Sequence, residues 1–384
     1  MGDKVYLDNS ATTPVAEPVL ESMLPFFRET YGNASSFHTA GREAHKAMDQ
    51  SRDLIADRLN VSPQEIIFTS GATEGNNIAL LGAAEANPDK KHLIVSAIEH
   101  HAVLHTAQTL EKSGYELTIL EVDGEGRVDP DHVREALRDD TLVVSVMAGN
   151  NEIGTLQPVA EIGALCRERG VLFHSDAVQA FGKVPLPMDA IDLLSVSAHK
   201  LHGPKGTGFL YVRKGVKLVP RFYGGGHERG LRSGTENVPG IVGLAAATRL
   251  AFDERAETTA RMRTFRAQLL DQVLEMPDVR LNGSVEQSLP HIANFSFAGI
   301  EGESLIMRLD EKSIAASTGS ACSSPDLEAS HVLLAIGVPI SMAHGSLRIS
   351  TGRQTTQSDI ETFLDVLPGV VDGLREMSPF YQAR

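Results

Sequence analysis

Cysteine is scarce in this chain of 384 residues, which holds only Cys166 and Cys322. Two thiols build no disulfide framework. Positive charge is also in short supply: 35 Lys and Arg stand against 50 Asp and Glu, a net charge of −15. That balance argues against a general binder of nucleic acid or anionic membrane, so an anionic ligand would need positive charge gathered locally. No uninterrupted apolar run approaches the ~20 residues of a membrane-spanning helix. The opening MGDKVYLDNSATTP has no basic segment followed by an apolar one, so no signal peptide is expected. Neither GxGxxG nor GxxxxGKS/T is present, which weakens dinucleotide and nucleotide readings, and HExxH is missing too. There is no internal repeat and no low-complexity linker. The expectation is a soluble, cytoplasmic protein, long enough for a large core and two domains.

What the chain does have is alternation. The short β-rich runs EIIFT, HLIVSA, YELTILEV, TLVVSVMA, VLFHSDA, DLLSVSAH and GFLYV recur along its first two-thirds. Between most of them lie segments with helical apolar spacing, such as NNIALLGAAEA and PVAEIGALCRERG. Strands alternating with helices predict an α/β fold, with a mainly parallel sheet covered on both faces. Residues 177–191 contain Pro185 and Pro187 and are expected to be irregular. Residues 241–276 read as one long or kinked helical region bridging to a smaller α+β domain. That domain holds HIANFSFAG, GESLIMRLDE, GSLRIST and a last helix starting near Asp359.

Ligands of open α/β sheets gather beyond the carboxyl ends of the strands, so the residues after each run matter. EIIFT leads into SGATEGNN, where free amides at a helix start and the Thr73 hydroxyl suit a phosphate. Ordinary capping by Ser70 or Thr73 is the competing reading of that turn. After HLIVSA, His100 could stack on a flat ligand or carry a proton, while His101 and His105 read as a solvated i, i+4 pair. Asp176 closes an apolar strand, with Gln179 three residues on; a carboxylate there needs a partner, and a helix cap is the alternative. SAHKLHGPKGTG packs two lysines and two histidines around three glycines without a carboxylate. Residues 224–237, GGGHERGLRSGTEN, combine flexible amides with His227, Arg229 and Arg232 and suit an anion.

One chemistry uses these features together. Pyridoxal phosphate needs a lysine for its Schiff base, a carboxylate for its ring nitrogen, a phosphate cup and a ring-stacking group. The sequence offers Lys200, Asp176, the turn at residues 71–73 and His100, each at or near a strand end. Lys205, in a turn bounded by glycine and proline, is the weaker lysine.

The motifs LDNSATTP, YGNASSFH, TSGATEGNN, EHHAVL, NNEIG, HSDAVQAFGK, SAHKLHGPKG, GGGHERGLRSGTEN and STGSACSS occur in the order seen in cysteine desulfurases. Over nearly its whole length the chain resembles the NifS/IscS-like branch of that family. The branch lies within the class V aminotransferase group of fold-type I pyridoxal-phosphate enzymes. The resemblance implies a seven-stranded, mainly parallel sheet in a large domain of residues 15–250. A small α+β domain would combine residues 1–14 with 251–384. It also implies that Lys200 holds pyridoxal phosphate, His100 stacks on its ring, Asp176 meets the ring nitrogen and Gln179 the ring hydroxyl. Asn151 would touch the cofactor; Ala72, Thr73, Ser197 and His199 would bind its phosphate, joined by Thr235 from the other subunit of a homodimer. Arg348, with Asn33 beside it, would clamp the carboxylate of L-cysteine. Cys322 would accept the sulfur as a persulfide, with His100 as candidate proton acceptor, and pass it to an iron–sulfur scaffold protein of the NifU/IscU type. Ala198 replaces the usual glycine before the His-Lys pair, a small change. A class V aminotransferase and a selenocysteine lyase are the alternative activities, and the first gives Cys322 no role.

Overall fold

The computed structural model describes residues 4–318, 329–379 and 381. Cys322 lies outside the described residues. The first strand, β1 (Val5–Tyr6), is followed by seven that form one sheet: β2 (Ile66–Thr69), β3 (His92–Ser96), β4 (Glu116–Leu120), β5 (Thr141–Ser145), β6 (Leu172–Asp176), β7 (Leu193–Ser197) and β8 (Gly208–Val212). Their order is β2-β8-β7-β6-β5-β3-β4. Only β8 runs against the rest, pairing antiparallel with β2 and β7. Each of the seven runs read from the sequence falls on one of these strands. Strands β2, β3, β5, β7 and β8 are buried at every position, which is why they read as continuous apolar runs. Helices Ala72–Ala86, His101–Lys112, Pro130–Ala136 and Val159–Glu168 fill the expected intervals between strands.

Residues 177–191 form turns and the single 3-10 turn Met188–Ala190, as the two prolines predict. The long helical region is two helices, Val238–Asp253 and Arg255–Val273, parted at Glu254. Arg353 grips the Glu254 carboxylate there at 2.6 and 2.9 Å. Beyond them come β9 (Val279–Asn282), β10 (Ile292–Phe297), β11 (Ile314–Ala315) and β12 (Ser346–Ser350). Strands β12, β10 and β9 make an antiparallel sheet, and β11 pairs in parallel with β1.

Apolar side chains collect in two main clusters. One surrounds Phe173, Phe181 and Phe209 beside the large sheet. The other gathers Val5 and Leu7 with Phe265, Phe295, Phe297 and Phe363. A cavity of about 250 Å³ opens beyond the carboxyl ends of β2, β3, β5, β6 and β7, where Arg348 of β12 reaches it. No helix among the described residues is long and apolar enough to cross a membrane.

Candidate active site

Strand β7 ends at Ser197, and one 3-10 turn, Ala198–Lys200, follows it. From that turn the Lys200 Nζ lies in the cavity wall and donates to the carbonyls of Ser10 and Ala11 at 2.5 and 2.6 Å. Lys205 is exposed and absent from that wall. Of the two lysines that the sequence offered, Lys200 alone lines the cavity.

Asp176 stands at the end of β6, 6% exposed. Its Oδ1 accepts the Val178 amide at 3.0 Å, a local turn of the kind expected of a cap. Its Oδ2 accepts Asn76 Nδ2 at 2.7 Å, a partner one turn inside the helix after β2. Gln179 donates to the Ser10 carbonyl at 3.0 Å, and its Oε1 meets His291 Nε2 at 3.2 Å.

The helix Ala72–Ala86 begins without a side-chain cap. Gly71 is its N-cap, at φ 153°, and neither Ser70 nor Thr73 plays that part. The Ala72 amide donates to Ser197 Oγ at 2.8 Å, so the helix start is tied to the end of β7. That approach needs a bare backbone: a Cβ on Gly208 would lie 2.3 Å from the Val196 carbonyl and 2.7 Å from the Gly71 Cα. Thr73 and His199 complete this wall, with His199 Nδ1 3.1 Å from Thr12 Oγ1.

His100 precedes the helix His101–Lys112 as its N-cap, and its Nδ1 accepts the Ala102 amide at 3.0 Å. Burial lowers its pKa; Asp176 opposes that shift and Lys200 adds to it. The ring is therefore neutral with its proton on Nε2. In this state Nε2 presents a hydrogen-bond donor to the cavity. His101 and His105 hydrogen-bond to each other at 3.2 Å.

Arg348 is 3% exposed. Its Nη1 donates to the Asn151 carbonyl at 3.0 Å and its Nη2 to Asp8 Oδ1 at 3.1 Å. Asn33 is exposed, holds the Ser35 amide through its own Oδ1, and does not line the cavity. Thr235 is likewise exposed and outside it. In the basic stretch 224–237, protein groups engage the three cations. Arg232 pairs with Glu74 at 2.7 Å, Arg229 donates to the Ile66 carbonyl at 2.7 Å, and His227 faces Glu236 at 3.9 Å.

Three buried atoms of cavity-lining side chains have no hydrogen-bond partner among the described residues: Ser10 Oγ, Asn76 Oδ1 and Arg348 Nε. Buried polar atoms are rarely left so; a polar ligand would satisfy them. An amine, a carboxylate, an imidazole and a helix start bordered by hydroxyls surround one space. That donor set fits pyridoxal phosphate, with room for an anionic substrate at Arg348.

Sequence reasoning missed Asn76, Asp8, His291 and the carbonyls of Ser10 and Ala11. Asn76 had a signal, its place one turn after a strand end. The others lie far along the chain from the strand ends they serve.

The segment 319–328 is outside the described residues, but both of its flanks lie by the cavity. Ser317 exchanges main-chain hydrogen bonds with Arg348 at 2.7 and 3.3 Å, and Ser330 Oγ donates to Glu152, next to Asn151.

The family model described as aminotransferase class-V matches residues 5–363. A cysteine desulfurase IscS of Methanosarcina thermophila is 52% identical over 378 residues, spanning 98% of this chain and 94% of that protein. The solved structure of a NifS-like protein aligns with a TM-score of 0.92 at 40% identity, covering 97% of this chain and 100% of the other. A structure of SspA in complex with cysteine aligns with a TM-score of 0.81 at 38% identity, over 92% of this chain and 100% of that one. Likeness of this extent, over a cavity so composed, leads to one assignment: the chain belongs to the class-V aminotransferase family and, within it, to the cysteine desulfurases.

Proposed function

We propose that the protein converts L-cysteine to L-alanine with pyridoxal phosphate held by Lys200, and that Cys322 takes the sulfur. The observation that carries this reading is the convergence of Lys200, Asp176 and Arg348 on one cavity. The cofactor supplies an acceptor for the electron pair released when the substrate Cα–H bond breaks. Arg348 orients the substrate carboxylate through Nε and Nη2. Lys200 would hold the cofactor and its Nζ would take the substrate Cα proton. Asp176, held by Asn76 and the Val178 amide, keeps the ring-nitrogen proton in place. The Ala72 and Thr73 helix start, Ser197 and His199 would hold the cofactor's phosphate, and His100, Gln179 and Asn151 would hold its ring.

The Cys322 thiolate attacks the substrate sulfur. A sulfur–sulfur bond forms and the substrate Cβ–S bond breaks, with its electron pair passing to the substrate carbon. Protonation of that carbon leaves L-alanine, and Cys322 carries the persulfide. The cysteine in the SspA structure supports this substrate. An iron–sulfur scaffold protein of the NifU/IscU type is the intended acceptor, in the cytoplasm. A homodimer, in which Thr235 reaches the partner's phosphate site, would also cover Tyr31, Phe37 and Tyr223, which are 74%, 95% and 77% exposed.

The test is a product assay with L-cysteine and a reductant, without added keto acid. Wild type and Cys166→Ser should form alanine and sulfide in equal amounts. Cys322→Ser should bind cofactor and cysteine by its spectrum yet form no persulfide. Desulfuration by Cys322→Ser at the wild-type rate would remove the persulfide step.

A further inference from the structure

Lys200 borders two cavities. One is the site above; the other, of about 50 Å³, lies where the turn after β7 meets the helix Arg255–Val273 and the residues following β12. A second lysine lines that rear cavity. Lys183, from the irregular stretch after β6, donates from Nζ to the main-chain carbonyl of Lys200 at 3.0 Å. The reaction proposed above gives it no part.

Carbonyls in a one-turn 3-10 element need partners from outside it. The Ala198 carbonyl accepts the amides of Leu201 and Gly203, both at 3.0 Å. The His199 carbonyl accepts the Thr13 amide at 2.9 Å and the Thr13 hydroxyl at 3.0 Å. The Lys200 carbonyl is held by a side-chain amine from another loop, whose own carbonyl accepts Thr259 Oγ1 at 3.3 Å. Enclosing a lysine amine here is unfavourable, and burial, with the Lys200 amine beside it, lowers the Lys183 pKa to about 7. A methionine would fill the same stem volume without that cost. Packing alone does not account for the amine.

We infer that Lys183 is a positioning residue: its amine fixes the turn that aims Lys200 into the cofactor cavity and, when protonated, places positive charge behind the Lys200 nitrogen. The inference rests on Lys200 being the cofactor's attachment point. The groups facing Lys183 are Lys200 on the turn, His202 just after it, His291 before β10, and Glu254 and Arg353 across the rear cavity. The pKa values of both histidines are lowered chiefly by burial, and Lys183 adds to the shift.

The experiment uses full-length holoenzyme and L-alanine, which displaces Lys200 from the cofactor without sulfur chemistry. Return of Lys200 after dilution is followed by absorbance, and the pH midpoint of the cofactor-bound Lys200 nitrogen is titrated. Borohydride trapping in wild type first locates the attachment; finding it on another lysine overturns both the proposed function and this inference. Lys183→Met should slow return roughly tenfold, as loss of a charge-assisted hydrogen bond implies, and should move the midpoint upward. Lys183→Arg and Thr259→Val should stay within about threefold of wild type, since both keep a cationic donor. Should Lys183→Met not fold, Lys183→Gln serves, because it keeps a donor without the charge: return persists and the midpoint alone rises. Wild-type return and midpoint in Lys183→Met, an unmoved midpoint in Lys183→Gln, or equal slowing in Thr259→Val would each overturn the positioning role and leave the Lys200 assignment standing.

Discussion

Arg348 Nη2 and Asp8 Oδ1 meet at 3.1 Å, joining the strand that closes the small antiparallel sheet to the loop after β1. Burial raises the Asp8 carboxyl above the usual carboxylate range, while Arg348 and Lys200 pull it back. The guanidinium thus arrives oriented, with Nη1 on the Asn151 carbonyl and Nε buried without a partner among the described residues. A carboxylate on the Nε–Nη2 edge gains two charge-assisted hydrogen bonds, each contributing about 1.5–3 kcal/mol.

Arg348→Ala should therefore raise the KM for L-cysteine by roughly 100-fold or more, with a smaller change in kcat. Cysteamine, which lacks the carboxylate, provides the control. Its kcat/KM should be nearly the same in wild type and variant. Equal losses on both substrates would show that Arg348 supports the fold or the reacting atoms instead.

Asn76 and Asp176 make the second relationship open to test. Asp176→Asn removes the charge beside the ring nitrogen but keeps the shape, and kcat should fall at least ~100-fold, the loss of an electrostatic contact made in the transition state. Asn76→Ala leaves the charge and deletes one hydrogen bond at 2.7 Å. A fall of about tenfold is expected from that single bond. If Asn76→Ala equals Asp176→Asn, the amide does more than hold the carboxylate.

These pairs also show where the sequence stopped being legible. Buried parallel strands announce themselves locally, because every position of β5 or β7 is apolar or small. The residues at strand ends, Asp176, Ser197 and Lys200, were readable for the same reason. Their partners were not: Asn76 is 100 residues from Asp176, Ser10 is 190 from Lys200, and Asp8 is 340 from Arg348. No periodicity reports a contact at such separations. The partners of the basic stretch 224–237 were hidden for a related reason, since Glu74 and the Ile66 carbonyl, which engage Arg232 and Arg229, come from far upstream. Glu254, which parts the two long helices, is matched by an arginine 99 residues later.

His100 combines two duties that substitution can separate. Its ring lies in the cavity wall and its Nδ1 caps a helix. His100→Phe keeps a ring and loses the cap, at about 1 kcal/mol of stability. It also loses the Nε2 proton, so kcat should fall by roughly 100-fold or more while cofactor affinity stays within about tenfold. His100→Asn keeps a capping oxygen without the ring. Its thermal stability should match wild type, and its cofactor affinity should drop further than in His100→Phe. A phenylalanine variant with wild-type kcat would mean that no proton passes through this ring.

Glu99 gives the clearest pH dependence away from the reacting atoms. It is fully buried, and its Oε1 accepts Ser96 Oγ at 2.5 Å and the Met147 amide at 2.8 Å, while Oε2 lacks a partner among the described residues. Burial raises its pKa to about 8, against the opposing pull of those two donors. In the unfolded chain the carboxyl titrates near its ordinary value of ~4.3. The native state therefore binds the extra proton between those values, so this group's contribution to stability falls as pH rises from about 4.5 to about 8. Several buried histidines titrate in the acid part of that range, so wild type alone would give a mixed profile. A difference measurement isolates the glutamate. Glu99→Gln keeps an oxygen for Ser96 and Met147 and carries no charge at any pH. The Tm of Glu99→Gln minus that of wild type should be smallest near pH 5 and rise steadily toward pH 8, in favour of the variant. A difference that stays flat across this window would mean that Glu99 titrates at an ordinary value despite its burial.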